Sequence, residues 1–298
     1  MSRNQASYLT RCYRFCRLFV HVVYAVLLVA FFYPHFSKAR RALFVKRWSV
    51  TLLDILNVQL KVKGDWQAAK PAHSMLAANH VSWLDVFLLY TQHYARFVAK
   101  SEMRTWPVFG WLSMKVGTLF IERERRRDTA RINQKISQAL RDGDCIAVFP
   151  EGTTSDGTYL QAFHSSLLEP AVISQSALYP VALRFCDRNG VVNTEVAYVD
   201  GTTLMGSLLK ILAHQEVCAE LIFTKPIPAQ GKNRRELARA AEAAIASLLN
   251  LSVRHRKPGT TGGFPDTLQT DFLPTNSLYP EPEDHPEAKD PALTSVRK

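Results

Sequence analysis

A long apolar run dominates the first part of the chain. From Leu18 to Tyr33 the residues are apolar apart from His21. As a helix rising 1.5 Å per residue, this run extends roughly 24 Å, which is shorter than the ~30 Å hydrocarbon core of a bilayer. Amphipathic spacing with interspersed basic residues continues as far as Leu53. The pattern predicts a hydrophobic, membrane-anchoring helical segment over residues 1–56.

The sequence leaves two modes of anchoring open. Basic residues flank both ends of the run, so their distribution favours neither orientation. One mode is a tilted single span, and the other, favoured slightly by the amphipathic continuation, is a helix or helix pair in one leaflet. A cleaved signal peptide fits poorly, because Tyr33-Pro34-His35-Phe36 stands where a small-x-small site is needed. A buried core helix also fits poorly, because the run has almost no polar face.

Short apolar stretches alternate with helical periodicity after residue 57. The predicted strands are 58–62, 74–78, 96–99, 117–121, 145–149, 179–185, 195–199 and 218–223. Apolar residues at helical spacing predict helices around 132–140 and 237–249. This alternation is typical of the α/β class, and we expect a mixed, mainly parallel sheet flanked by helices. Functional loops are then expected where strands end.

Composition and charge divide the chain into three parts. The net charge is +11, and the first 50 residues contain nine Lys or Arg and no acid. This excess favours an anionic surface or an anionic substrate. From about Lys257 the residues are mostly Pro, Gly, Thr and acids, which is typical of disorder. We therefore predict a folded domain over 57–252 and a disordered tail over 253–298.

The cysteines exclude some kinds of site. The five cysteines have no paired metal-ligand spacing. An odd number of cysteines in a chain without a signal peptide indicates a reducing compartment. We therefore expect neither a disulfide framework nor a cysteine-based metal centre.

His80 and Asp85 are the first candidates for chemistry. They lie five positions apart, between an apolar run that ends at Ala78 and another that begins at Val86, a context that predicts strand, turn and helix. A histidine in such a turn accepts a proton, and a nearby carboxylate orients its ring and stabilises the imidazolium. Taken alone, such a pair is more often a structural hydrogen bond. No protein nucleophile accompanies it, so a substrate hydroxyl is the expected nucleophile.

Two further segments place polar residues after predicted strands. Gly117 opens a stretch that ends at Arg123, and arginine grips phosphate through two charge-assisted hydrogen bonds. Glu151, Gly152 and Thr153 form a turn in which glycine permits close backbone approach and the carboxylate is available to a hydroxyl or a polar head group. Alone, the first is also compatible with a solvated charge run and the second with a structural turn.

A fourth segment is the apolar stretch Tyr179-Pro180-Val181-Ala182-Leu183. Proline removes a backbone donor from the ladder, so it indicates an edge strand or a pocket wall. Alone, the segment carries no chemistry.

In this order and spacing, the four segments resemble the glycerolipid acyltransferase family. The matching signature is His-x4-Asp, then Gly-x-x-Phe-Ile-x-Arg, then Phe-Pro-Glu-Gly-Thr, then a Val-Pro-like block. Lys100 and the stretch 106–110 are similar to the family's linker between the first two motifs. The resemblance covers about residues 60–250 and is greatest to bacterial 1-acyl-sn-glycerol-3-phosphate acyltransferases and related lysolipid acyltransferases.

The resemblance implies an O-acyltransferase of phospholipid biosynthesis. Such an enzyme moves a fatty acyl chain from acyl-CoA or acyl carrier protein to the free hydroxyl of a lysolipid, here 1-acyl-sn-glycerol-3-phosphate giving phosphatidic acid. His80 would be the general base and Asp85 its orienting partner. Neither a metal nor a cofactor besides the thioester co-substrate is implied. The partners are the two substrates and the membrane surface, not nucleic acid, and the catalytic domain would face the cytoplasm at the inner membrane.

The other matching residues are implied in substrate binding. By this resemblance, Arg123, which follows Gly117, would contact the acceptor's phosphate. Glu151, Gly152 and Thr153 would contact the rest of the acceptor, and Pro180 would form a wall on the acyl-donor side. The sequence departs from the family at Thr154, where many phosphate-using members have arginine. This loss of a cation opens the alternative of another acceptor, such as lyso-ornithine lipid or a lysophospholipid with a larger head group.

Alternatives from other classes remain. A membrane lipid-binding protein without catalysis would share the fold, although the complete set of His80, Asp85, Arg123 and Glu151 counts against it. A serine hydrolase would need a Gly-x-Ser-x-Gly elbow, which this sequence lacks. A metal site formed by His80, Asp85 and Glu151 is the third alternative.

Overall fold

Two helices form a hairpin at the start of the chain. The computed structural model describes residues 5–64, 73–121, 126–187, 189–199 and 201–255. Helix α1 spans Tyr8–Phe31 and helix α2 spans Lys38–Ile55. The hydroxyls of Ser7 and Ser37 each accept a backbone N–H from the first turn of the helix that follows. A short 3₁₀ turn, Tyr33–His35, joins the helices.

Reciprocal hydrogen bonds hold the hairpin together. His21 Nε2 lies 3.0 Å from the carbonyl oxygen of Trp48, and the Trp48 indole donates to the carbonyl of His21 at 3.3 Å. Their rings stack with centroids 4.7 Å apart. The Arg14 guanidinium donates to the carbonyls of His214 and Gln215. The hairpin is therefore fixed both internally and to the α/β domain.

The apolar side chains of α1 point outward. The helix is long and apolar enough to cross a membrane by length and composition, yet only 17% of its apolar stretch is buried. Its exposed large side chains are Tyr8, Leu9, Tyr13, Phe15, Phe19, Val20, Val23, Tyr24, Leu27 and Phe31. A soluble core helix would bury these groups, so α1 presents an apolar surface of the kind that contacts lipid.

Two sheets contain the nine strands of the described residues. The strands are β1 (Val58–Lys63), β2 (Ser74–Ala78), β3 (Arg96–Lys100), β4 (Leu119–Ile121), β5 (Ile146–Val148), β6 (Leu160–Gln161), β7 (Ala177–Cys186), β8 (Val217–Phe223) and β9 (Val253–Arg254). The main sheet has the order β1-β8-β7-β2-β5-β3-β4. Only the β7–β8 pair is antiparallel among these described strands. The predicted mixed, mainly parallel sheet is confirmed.

Helices cover both faces of this sheet. Within the described ranges six α-helices follow the hairpin: α3 (Leu84–Gln92), α4 (Phe109–Lys115), α5 (Arg126–Arg141), α6 (Glu169–Ser174), α7 (Leu204–Ala213) and α8 (Arg234–Leu249). Along β2, Leu76 and Ala78 face the core shared with α2 and α3, whereas Met75 and Ala77 face the core shared with α5 and α8. This alternation follows from the two-residue period of a strand and buries β2 on both faces.

Two predictions about strands need correction. The predicted strand 195–199 is wrong, because Thr194–Val196 forms a 3₁₀ turn in which the Asn193 side chain accepts the N–H of Glu195. Strands β6 and β9, which pair with each other, were not predicted. Since β9 includes residues 253 and 254, the folded domain continues past the predicted boundary at 252. The rest of the predicted tail, from 256, lies outside the described residues.

Candidate active site

The site begins where β2 ends, in the middle of the sheet. The Asn79 side chain donates to the carbonyl of Leu183 at 2.8 Å and accepts its N–H at 2.7 Å. The buried Asn79 amide thus satisfies the backbone groups of Leu183 in β7, which a longer β2 would otherwise pair with. The main chain after β2 can therefore turn away from the sheet. His80 follows at the carboxyl end of β2, which is where ligand sites of open α/β sheets lie.

Asp85 holds the His80 ring from the first turn of α3. His80 Nδ1 lies 2.8 Å from Asp85 Oδ2, and the same oxygen accepts the N–H groups of Val81 and Ser82 at 2.7 and 2.9 Å. The Asp85 side chain is fully buried. Because a carboxylate only accepts, the proton of the imidazole resides on Nδ1, and Nε2 is the free acceptor. This is the arrangement of an oriented general base.

The histidine is fixed on its other sides as well. Its ring stacks on that of Phe149, with the ring centroids 3.9 Å apart and an angle of 9° between the ring planes. The His80 backbone carbonyl accepts the N–H of Ser155 at 2.8 Å. The Val81 carbonyl accepts the N–H of Tyr198, also at 2.8 Å. One fifth of the His80 side chain remains exposed. The ring therefore has one orientation and one open edge.

Glu151 contacts the backbone instead of the cavity. Its Oε1 accepts the N–H of His80 at 2.6 Å and its Oε2 accepts the N–H of Gln161 at 2.8 Å. The residue is 1% exposed. Burial raises the pKa of its carboxyl to about 8, although the two N–H donors act in the opposite direction. Both oxygens thus accept backbone N–H groups, and Glu151 positions the His80 turn. Its predicted contact with the acceptor stays a prediction.

A cavity of about 310 Å³ opens in front of His80. Its walls combine apolar and aromatic groups with a few polar ones, among them Trp83, Val86, Phe97, Met103, Trp106, Phe109, Lys100, Gly152, Thr153, Thr154 and Tyr198. Gly152 and Thr153, which are predicted to contact the acceptor, are among the residues that line this cavity. The sequence reasoning did not find Trp83, although it lies inside the His-x4-Asp motif, nor Tyr198, which it placed in a strand.

Thr154 does not replace the missing cation. Its hydroxyl donates to the carbonyl of Tyr198, and the Thr154 carbonyl accepts from the Gln161 side chain at 3.3 Å. The hydroxyl is therefore committed to the protein. The side chain forms part of the cavity wall without offering a charge.

Gly117 and Pro180 are not among the residues that line this cavity. Gly117 has φ +92° and its carbonyl accepts from Arg96 at 2.9 Å, so it serves the turn that precedes β4. Pro180 is buried in β7, an interior strand between β2 and β8, so the predicted edge strand is wrong, whereas its predicted role on the acyl-donor side stays a prediction. Its missing N–H is tolerated because the pairing of β7 with β8 starts at Val181. Arg123 lies outside the described residues.

A second, smaller cavity adjoins the first. It measures about 100 Å³ and lies between the helical hairpin and helices α3 and α4. Val86 and Phe109 line both cavities, and the smaller one is almost entirely apolar. The His80 cavity therefore has an apolar extension towards the hairpin.

A metal centre is not apparent at this site. Within the described ranges, no group of three or more His, Cys, Asp or Glu side chains is placed to hold a metal ion. Both carboxyl oxygens of Glu151, and Oδ2 of Asp85, accept backbone N–H groups. The alternative of a metal site at His80, Asp85 and Glu151 therefore has no geometric support.

Comparisons with known proteins decide the family. A sequence model described as "Acyltransferase" matches residues 59–184. A lyso-ornithine lipid O-acyltransferase from Pseudomonas aeruginosa is 37% identical over 66% of this chain and 75% of its own length. The chain belongs to the acyltransferase family. A 1-acyl-sn-glycerol-3-phosphate acyltransferase from Neisseria gonorrhoeae is 34% identical over 67% of this chain and 78% of its own.

The fold agrees with this assignment. A crystal structure of the 1-acyl-sn-glycerophosphate acyltransferase from Thermotoga maritima superposes with a TM-score of 0.64 at 20% identity, covering 81% of this chain and 94% of that one. The resemblance inferred from four motifs is thus confirmed at the level of the family. In this acyltransferase the matched region runs from β1 to β7 and contains His80, Asp85 and Glu151.

The raised pKa of Glu151 predicts a pH effect on stability. The folded acyltransferase binds a proton at Glu151 up to about pH 8, whereas an unfolded glutamate loses it near pH 4.5. Because the folded state holds more protons in this window, the free energy of unfolding falls as pH rises from about 4.5 to about 8, by up to ~1.4 kcal/mol per pH unit. Glu151→Gln should remove this slope in unfolding experiments in detergent.

The control for this test is Glu102→Gln, which removes an exposed carboxyl. It should follow the pH dependence of the unchanged protein. Parallel stability curves for Glu151→Gln and the unchanged protein would contradict the assigned protonation of Glu151.

Proposed function

We propose that this acyltransferase moves a fatty acyl chain from a thioester to the free hydroxyl of a lysolipid, with 1-acyl-sn-glycerol-3-phosphate as the acceptor and phosphatidic acid as the product. The observation that carries the proposal is the His80–Asp85 pair at 2.8 Å, with the ring edge open to a cavity of about 310 Å³. No serine or cysteine lines that cavity in the described part of the chain. The acceptor hydroxyl is the nucleophile in this proposal.

The geometry supports one proton relay. His80 Nε2 takes the hydroxyl proton while the oxygen attacks the thioester carbonyl carbon, and Asp85 stabilises the imidazolium that forms. The tetrahedral intermediate then collapses, the C–S bond breaks, and the same Nε2–H protonates the departing thiolate. The products are the new oxygen ester and the free thiol, and His80 returns to its starting state.

The two cavities suit an acyl chain. Its carbonyl would lie near His80, and its methylene groups would extend past Val86 and Phe109 into the apolar cavity beside the hairpin. Burying each methylene contributes about 0.8 kcal/mol. The size of the closed end would then influence which chain lengths are transferred.

Lyso-ornithine lipid is a second candidate acceptor. Thr154 offers no charge where many phosphate-using relatives have arginine, and its hydroxyl bonds to the Tyr198 carbonyl. The Pseudomonas aeruginosa relative at 37% identity carries that substrate in its name. A lysophospholipid with a larger head group fits the same observation. Arg123 and its neighbouring arginines favour the acceptor with a free phosphate, because they can supply the missing cations.

The hairpin suits attachment to one leaflet. Helix α1 exposes apolar side chains, whereas α2 carries five basic residues, and each arginine or lysine placed at the bilayer centre costs about 2.5–3.5 kcal/mol. Both the Arg14 end of α1 and the end of α2 adjoin the α/β domain. A shallow position at the cytoplasmic leaflet keeps these charges at the interface and gives the site access to acyl-CoA or acyl carrier protein.

The test is thiol release by the purified, detergent-solubilised protein. Acyl-CoA and acyl carrier protein would each be offered with 1-acyl-sn-glycerol-3-phosphate, lyso-ornithine lipid, lysophosphatidylethanolamine or no acceptor. Release that depends on 1-acyl-sn-glycerol-3-phosphate supports the proposal. Release only with another lysolipid reassigns the acceptor, and equal release without acceptor indicates a hydrolase. No release from either donor would favour a non-catalytic lipid-binding protein.

Arg123→Ala is expected to weaken acceptor binding selectively. Loss of a charged hydrogen-bonding group on a phosphate costs about 1.5–3 kcal/mol, so KM for 1-acyl-sn-glycerol-3-phosphate should rise about tenfold or more, while KM for acyl-CoA changes less than about twofold. Steady-state kinetics with each substrate varied in turn measures both. Arg131→Ala, at an exposed position on α5, is the matched control. An unchanged acceptor KM in Arg123→Ala would refute this role.

A further inference from the structure

A second groove lies on the outer side of the hairpin, away from His80. It runs between α1 and α2 and encloses about 490 Å³, within the usual range for ligand pockets. None of its lining residues lines the His80 cavity. Phe44 and Trp48 separate it from the small apolar cavity, because these two residues line both spaces. The groove is therefore distinct from the acceptor site.

The floor of this groove is apolar and held in place. Tyr24 and Phe44 lie with ring centroids 6.5 Å apart, and the stacked pair of His21 and Trp48 is fixed by its two bonds to backbone carbonyls. Tyr24 remains 53% exposed. A rigid aromatic floor open on one side suits a hydrocarbon chain that arrives from the surface.

Two guanidinium groups line the same groove. Arg40 and Arg47 lie seven residues apart on α2, which places them on one helix face about 10 Å apart along the axis. Neither has a carboxylate partner among the described residues, and no acidic residue lines the groove. Other arginines of the hairpin are engaged: Arg41 donates to backbone carbonyls and Arg17 pairs with Asp54. Among the described arginines of the hairpin, the two whose guanidinium groups have no hydrogen-bond partner thus both line the groove.

We propose that this groove binds one anionic phospholipid of the surrounding leaflet. An acyl chain would lie on the Tyr24–Phe44–Trp48 floor, and the phosphate would bridge Arg40 and Arg47. Free phosphate would leave the apolar floor exposed, and an uncharged lipid would leave both guanidinium groups unpaired, so the amphiphile with both features fits. The proposal rests on the proposed function only in placing the hairpin at a membrane.

The test uses the quenching of Trp48, which lies in the groove wall. The full-length protein, delipidated in nonionic detergent, would be titrated with phosphatidylglycerol or phosphatidylcholine that carries a nitroxide on the acyl chain. We expect saturable quenching with a Kd about tenfold lower for phosphatidylglycerol. The signal should disappear in Trp48→Phe, which separates it from the other four tryptophans.

Matched variants decide whether the two arginines form a site. Arg40→Gln with Arg47→Gln should reduce the preference for phosphatidylglycerol to less than about twofold. Lys38→Gln with Lys46→Gln removes the same charge from the same helix outside the groove, including the ion pair of the exposed Lys38 with Asp144, and should leave the preference intact. Equal quenching by both lipids, or equal loss in both double variants, would overturn the proposal. Because binding is measured without turnover, a failure of the acyl-transfer proposal would not affect this result.

Discussion

Replacing His80 by alanine is expected to lower kcat for acyl transfer by about 10²–10⁴-fold, the range typical of a positioned general base. The ring is the one group in the described site that combines a buried carboxylate on Nδ1 with an edge open to the cavity. Its removal leaves the acceptor hydroxyl without a base and the departing thiolate without an acid. The measurement is thiol release under saturating donor and acceptor.

The fold should survive this substitution. The backbone N–H and carbonyl of His80, which bond to Glu151 and Ser155, are retained in alanine, so the thermal midpoint should change by only a few degrees. His255→Ala, at the exposed position directly after β9, is the matched control and should keep full activity. A His80→Ala variant that is folded and still has a tenth of the original turnover would refute the mechanism.

Asp85→Asn is expected to separate charge from geometry, with kcat reduced by about 10³–10⁴-fold in a protein that remains folded. Asp85 Oδ2 accepts from His80, Val81 and Ser82, whereas Oδ1 has no hydrogen-bond partner in the described structure. The asparagine carbonyl can therefore take over all three bonds with its NH₂ at the Oδ1 position. What is lost is the negative charge that stabilises the imidazolium. Steady-state kinetics and thermal unfolding of the same preparation measure the two effects.

Asp85→Ala supplies the comparison. It also leaves the buried N–H groups of Val81 and Ser82 without an acceptor, at about 1–3 kcal/mol each, so it should unfold at a clearly lower temperature than Asp85→Asn. If Asp85→Asn retains nearly full kcat, the carboxylate acts only as a structural acceptor. If it unfolds as easily as Asp85→Ala, the assumed orientation of the amide is wrong.

Local patterns predicted what depends on local geometry. The strand, turn and helix around His80 and Asp85 follow from an apolar run, a polar interruption and a second apolar run, and their contact spans only five residues. The sheet class followed from alternation along the chain. The 3₁₀ turn at Thr194–Val196 was missed because Val196-Ala197-Tyr198-Val199 is a short apolar run like that of a strand, while the Asn193 side chain accepts the N–H of Glu195 and favours a turn.

Contacts between distant segments could not be predicted in this way. The Glu151 carboxyl accepts the His80 N–H across 71 residues, because β5 lies beside β2 in the sheet, and this bond was not predicted. Pro180 was expected at an edge, but the strand order places β7 in the interior. Both features depend on the order of strands, which no repeat or motif in the sequence encodes.

The bond between Glu151 and the His80 backbone also has a consequence for folding. The turn after β2 and helix α3 can form from neighbouring residues, yet the His80 N–H has its acceptor only when β5 has taken its place beside β2. Contacts of this sequence separation form late, because closing a long loop costs entropy before the contact is made. During refolding, acyl transfer should therefore appear together with completion of the central sheet, and a chain with its helices formed but its sheet incomplete would be inactive.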